Sequence, residues 1–161
     1  MKKGMNLVFQ SIATVCVIVI LTFAVLNFFS APEKKGLFGY KGFIVLSDSM
    51  QPAFAAGDYI INQVTPFEEV KLGDTITYLD AQEVVVTHRV VGEEAGELLL
   101  KGDGNDFTDQ TLVNTENYVG KHRYTIPKLG SLMVKLSQPL VLVGISLLFL
   151  VLLIYNEFKR N

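Results

Sequence analysis

The 161-residue chain has a single cysteine, Cys16, and only two histidines, His88 and His122. With one cysteine no intrachain disulfide is possible, and the covalent frame of a small secreted domain is ruled out. With two histidines the choice of an imidazole base is narrow. Charge of one sign is not in excess: 14 Lys and Arg stand against 16 Asp and Glu, a formal net charge of −2. A balance of that kind supplies no electrostatic case for nucleic acid as a partner. Charge is absent altogether from two stretches, Gly4–Pro32 and Leu136–Asn156.

Those two stretches hold the apolar excess of a chain that is 50% hydrophobic. Their cores read "VCVIVILTFAVLNFF" and "PLVLVGISLLFLVLLIY". A bilayer core of roughly 30 Å is crossed by about 20 apolar helical residues, and each stretch is long enough. The first is too long for the apolar region of a cleaved signal peptide, and Pro32 directly follows the small pair Ser30-Ala31. We read transmembrane helices at 5–29 and 137–156, a domain at 30–136 between them and a tail at 157–161. Two spans place both ends on one side. Lys2, Lys3, Lys159 and Arg160 favour the cytoplasm for those ends, but lysines also flank the helices on the domain side, so the charge rule does not decide orientation.

The middle region is β-rich. The runs "FIVL", "DYIINQV", "DTITYL", "EVVVTHRVV", "ELLLKG" and "YVGKHRYTI" are short, rich in Val, Ile, Thr and Tyr, and separated by Gly, Asp, Pro or Glu clusters. No 3.6-residue period stands out between the two apolar stretches. Gly57-Asp58 and Gly73-Asp74 each open a strand, as a turn glycine followed by a capping aspartate should. Gly102-Asp103 opens a polar loop instead.

Three places carry candidate chemistry. "FIVLSDSMQP" ends a strand on Ser47 and Ser49, and most such serines only satisfy local backbone groups. His88, in "VVVTHRVV", shares a strand face with Val84, Val86 and Val90, where a satisfied core histidine is the ordinary expectation. Burial there favours the neutral imidazole that a general base requires. His122, in "GKHRY" between two cations, is explained by a solvated strand surface. The loop "KGDGNDFTDQ" carries Asp103, Asp106 and Asp109. Asx turns explain it, and an EF-hand does not: Thr108 and Asn114 stand where the invariant glycine and the bidentate glutamate belong. A serine hydroxyl needs a base, and the base needs a partner that fixes its tautomer. Spacing alone does not bring the three places together.

The order of these motifs resembles that of the type I signal peptidases, specifically the endoplasmic-reticulum type. "SDSMQP" resembles the S-x-S-M-x-P nucleophile box, and "AAGDYIINQ" and "KLGDTITY" the Gly-Asp strands after it. "VVTHRVV" resembles the box of the general base, and "KGDGNDFTD" the final acidic box; together they cover roughly residues 38 to 127. Ordinary bacterial members and related self-cleaving repressors carry lysine in the base box, whereas here it holds Thr87-His88-Arg89. The resemblance implies a small β-barrel-like catalytic domain between two membrane helices. It also implies Ser49 as nucleophile, His88 as base, and Asp103 and Asp109 as the acidic pair, with Asp109 favoured as the orienter of His88. Ser49 N–H and Ser47 are the implied oxyanion donors. Phe43, Ile44, Phe54 and Val84 are candidate substrate-lining residues, and Met50 and Pro52 shape the turn. Asp48 departs from the glycine usual in this type.

The activity so implied is removal of signal peptides from secreted preproteins by a membrane-bound serine endopeptidase, without cofactor or metal. Preproteins and the lipid bilayer are the expected partners; accessory membrane subunits are left open. The same resemblance sets the domain outside the cytoplasm. Two rivals remain: a membrane-anchored β-domain that binds a partner without cleaving it, and a self-cleaving regulator. The second lacks both a DNA-binding module and a lysine base.

Overall fold

The computed structural model describes residues 29–33 and 35–139, together with residues 14, 17, 18, 22, 25, 141, 144, 147, 151, 154, 155 and 158. The chain divides into two units, Leu26–Leu132 and the flanking segments Met1–Val25 with Met133–Asn161. The twelve residues of the flanks just named are helical, and Val17, Ile18, Val25, Leu147, Val151 and Ile154 among them are exposed. Among the described residues no helix is long and apolar enough to cross a membrane. Most of the expected spans at 5–29 and 137–156, Cys16 and most of the tail at 157–161 lie outside the described residues.

The unit Leu26–Leu132 is built on six strands: β1 (Tyr40–Ile44), β2 (Tyr59–Gln63), β3 (Thr75–Leu79), β4 (Val85–Glu94), β5 (Glu97–Lys101) and β6 (Tyr118–Ile126). They form one antiparallel sheet in the order β1-β2-β6-β3-β4-β5. The hydrogen-bonded ladder runs from β1 at one edge to β5 at the other. Each apolar run noted in the sequence coincides with a strand. The first pairs earlier than its "FIVL" core, from Tyr40, because Tyr40 and Lys41 find partners in Gln63 and Asn62. β4 and β5 are joined by Ala95-Gly96, both at positive φ, the backbone twist that a two-residue hairpin requires.

A short α-helix, α1 (Leu129–Leu136), follows β6 within the β-rich stretch 30–136. Eight residues give barely two turns, too few for a 3.6-residue period to stand out beside the apolar stretch that follows. Its start is fixed from the turn before β2. Asp58 accepts hydrogen bonds from Lys128 N–H at 2.9 Å and Ala55 N–H at 3.0 Å, and Ser131 N–H donates to Gly57 O at 2.8 Å. Gly57 is needed there because its φ is +91°, a conformation that favours glycine.

Two cores hold the sheet. Ile76, Tyr78, Val90, Leu100 and Val113 form the larger, on β3, β4, β5 and the segment that pairs with β5 through Leu98 and Val113. Met50, Phe54 and Ile60 form the smaller, under the turn after β1. Full burial of one such side chain contributes about 1.5–3 kcal/mol. The site lies between these two cores, so its backbone supports are drawn from both.

Candidate active site

The turn that carries Ser49 is clamped at both ends. Beyond β1, Val45 continues the pairing with the β2 side: Val45 N–H donates to Asp58 O at 2.9 Å and Gly57 N–H to Val45 O at 2.8 Å. The chain then leaves the sheet. Asp48 Oδ1 accepts the Ala56 N–H at 2.9 Å, which stitches the start of the turn to its end. That hydrogen bond holds the Asp48 carboxyl below its ordinary range. Met50, 1% exposed, and Phe54, 5% exposed, anchor the turn in the smaller core, and the Gln51–Pro52 peptide is cis. With its neighbours fixed in this way, Ser49 remains at the surface of the turn.

The acidic loop after β5 packs onto the same residue through backbone. Gly104 N–H donates to Ser49 O at 2.8 Å. A Cβ on Gly102 would lie 2.5 Å from that oxygen, so only glycine allows the approach. Ser49 N–H engages no backbone acceptor among the described residues.

Three side chains then meet in line. His88 Nε2 lies 3.0 Å from Ser49 Oγ, and His88 Nδ1 lies 2.6 Å from Asp109 Oδ2. A carboxylate accepts, so Nδ1 carries the proton and the Nε2 lone pair faces the serine hydroxyl. His88 is buried on β4 opposite Ile76 of β3, which fixes its position, and Asp109 is tied to β5 by its N–H to Leu100 O at 2.8 Å. Ser47 Oγ stands 3.2 Å from Ser49 Oγ.

The two aspartates are sorted between neighbouring residues of β4. Asp103 pairs with Arg89 rather than His88, accepting Nε at 2.7 Å and Nη2 at 2.6 Å. The guanidinium holds the Asp103 carboxyl below its usual range, and its Nη1 also donates to Gly73 O at 2.8 Å. Arg89 therefore ties the acidic loop to the turn before β3.

A groove of about 530 Å³ opens beside the serine. The four residues expected to line a binding site, Phe43, Ile44, Phe54 and Val84, all border it, together with Ser47, Ser49 and His88. Val84 is 55% exposed at its rim, whereas Phe54 belongs also to the smaller core.

No protein-family model matches the chain. Three relatives do. It is 36% identical to Signal peptidase I W of Bacillus subtilis over 122 residues, which are 73% of this chain and 63% of that protein. It is 33% identical to the Signal peptidase complex catalytic subunit SEC11 of Clavispora lusitaniae over 108 residues, 59% of this chain and 64% of that protein. To the same subunit of Candida tropicalis it is 33% identical over 126 residues, 66% of this chain and 75% of that protein. The chain belongs to the type I signal peptidases of the endoplasmic-reticulum type. Its match spans just under two thirds of the first two of these relatives and three quarters of the third.

Within this signal-peptidase domain, the strand alternation left two features unread. His122 was expected on a solvated surface. It is instead half-buried, with its ring centroid 5.3 Å from that of Phe54 and its Nδ1 buried without a hydrogen-bond partner among the described residues. Burial first, and the nearby Arg89 charge second, push its pKa down. The covering ring comes from the turn after β1, remote in sequence, so alternation along β6 could not reveal it. Tyr78 is the other omission. Its hydroxyl donates to Asp109 Oδ2 at 2.8 Å. The signal was the register: Ile76 opposes His88, and Tyr78, two residues on, shares that face.

Proposed function

We propose that the chain is a membrane-bound serine endopeptidase that removes signal peptides from secreted preproteins. The carrying observation is the continuous Ser49–His88–Asp109 hydrogen-bonded line at the edge of an apolar groove. In this reading Ser49 Oγ attacks the scissile carbonyl while His88 Nε2 takes its proton. The resulting imidazolium is stabilised by Asp109 and returns the proton to the leaving amine. Water, deprotonated in turn by His88, then releases the signal peptide from the acyl-enzyme.

The oxyanion is met by Ser49 N–H and Ser47 Oγ, each such donor commonly worth about 3 kcal/mol. The groove between Phe43, Ile44, Phe54 and Val84 receives an extended segment with small side chains before the cut, and strand-like main-chain pairing supplies affinity. No cofactor takes part in these steps.

The same reading places transmembrane helices at 5–29 and 137–156, the domain at 30–136 outside the cytoplasm, and both termini, including the tail at 157–161, inside. Its supports are the charge-free lengths of the two stretches and the exposed apolar side chains on their described helical residues. The SEC11 relatives are catalytic subunits of a signal peptidase complex. Accessory membrane subunits are accordingly candidate partners of this chain beside preproteins and the lipid bilayer.

The test is cleavage of a model preprotein by the purified full chain in liposomes, read by mass spectrometry of the products. A single new N-terminus directly after a small residue is the expected result. An intact preprotein, bound but uncut, would favour a non-catalytic binding domain instead.

A further inference from the structure

We propose that Tyr78 is a positioning residue for the peptidase site, acting through its hydroxyl on Asp109; the inference rests on the Ser49–His88–Asp109 reading above. Asp109 is not on a strand. It lies in the long connection between β5 and β6, where its backbone is tied at one point, Asp109 N–H to Leu100 O. A carboxylate on such a segment has rotamer freedom that the relay must remove. Tyr78 removes it. Tyr78 is 2% exposed in the larger core among Ile76, Val90, Leu100 and Val113, so its hydroxyl is held by packing on a buried strand. From there it donates to Asp109 Oδ2, the same oxygen that accepts from His88 Nδ1.

That shared oxygen decides the chemistry. Two donors, from β3 and β4, fix Oδ2 in two directions, so the carboxylate is oriented before substrate arrives. The phenol also draws negative charge from the oxygen that stabilises the His88 imidazolium. Tyr78 remains a donor at all working pH values, because burial, and then the hydrogen bond and charge of Asp109, raise its pKa. Two other charges bear on the cluster. Asp80 acts on Tyr78 in the same sense as Asp109, and Asp103 near His88 is paired with Arg89.

Tyr78→Phe keeps the ring and removes the donor. In the liposome assay kcat is expected to fall about tenfold with KM unchanged, the size of a lost hydrogen bond to a charged group. The acid-side limb of the kcat/KM profile is expected to move to higher pH, since an Asp109 relieved of one donor holds the imidazolium more tightly. A merely structural tyrosine would lower the rate without moving that limb. In an Asp109→Asn background Tyr78→Phe should cost nothing further.

Fully additive losses, or an unmoved limb, would overturn the proposal. Should Tyr78→Phe fold poorly, replacement of Tyr78 by 3-fluorotyrosine keeps both ring and hydroxyl and strengthens the donor. The limb should then move to lower pH, and no movement would again overturn the proposal. Ser49→Ala in the same assay separates the two readings. If it still cleaves, the peptidase site is wrong; if it is inert while Tyr78→Phe matches wild type, only the role of Tyr78 is lost.

Discussion

Arg89 grips both oxygens of Asp103 at 2.7 and 2.6 Å, and thereby leaves Asp109 as the carboxylate on His88. Neighbouring positions on β4 point to opposite faces, so His88 and Arg89 each select one aspartate from a single loop. The two substitutions should therefore separate. Asp109→Asn, which replaces the charged carboxylate by a neutral amide that no longer fixes the His88 tautomer or stabilises the imidazolium, is expected to lower kcat/KM by on the order of 10⁴-fold. Asp103→Asn keeps the relay and should cost roughly tenfold or less, through loosening of the loop. Steady-state cleavage rates of the two variants check the order.

The Arg89–Asp103 pair has its own pH signature. Its carboxyl is held below the ordinary range by the guanidinium, so the folded value lies under the unfolded value near 3.9. Stability from the pair is then complete above about pH 4 and is lost as pH falls through the folded value. Part-exposed groups of this kind contribute about 1 kcal/mol. Denaturant midpoints of wild type and Asp103→Asn should differ at pH 6 and converge well below pH 4. A constant difference across that range would argue against the pairing.

His122 gives the opposite half of the pH scale. Its folded value is depressed, mainly by burial, from an unfolded value near 6.5. The unfolded chain therefore binds a proton first, and stability declines as pH drops below about 6.5, levelling off once the folded-state imidazole is also protonated. His122→Gln should flatten that slope. Unfolding midpoints measured at half-unit intervals from pH 7.5 to 5 test it.

The groove residues should divide by what else they do. Val84 is exposed at the rim, so Val84→Ala is expected to raise KM for preprotein while changing stability by less than about 0.5 kcal/mol. Phe54 packs with Met50 and Ile60 and against His122, and Phe54→Ala should cost about 3–5 kcal/mol of stability besides altering the tolerated side chain before the cut. Thermal unfolding and a panel of preproteins varied at that position distinguish the two effects.

Ser47→Ala removes a hydroxyl 3.2 Å from the Ser49 oxygen and nothing from either core. If Ser47 serves the oxyanion, kcat should fall by about 10²-fold with KM little changed. An equal loss in binding would assign Ser47 to substrate recognition instead.

Much of this was legible in the residues. The strands announced themselves because Val, Ile, Thr and Tyr alternate between turn glycines, and Ser49 and His88 were singled out by the resemblance of their segments to the nucleophile and base boxes. The partners were harder. Asp103 and Asp109 are six positions apart in one polar loop, and only the loop's path, with Gly102 and Gly104 against Ser49 O, decides which reaches His88. Tyr78 and His122 were hidden for a related reason. Their contacts are set by register and by a remote turn, neither of which a run of sequence records. Asp48, which departs from the usual glycine, found an explanation only in three dimensions, as the acceptor for Ala56 N–H.

The most direct measurement is kcat/KM for preprotein cleavage by the full chain in liposomes, compared among wild type, Ser49→Ala and His88→Ala. Loss of at least about 10⁴-fold in both variants, with folded stability retained, is the expected result. A wild-type rate in either would contradict a Ser49 nucleophile activated by His88.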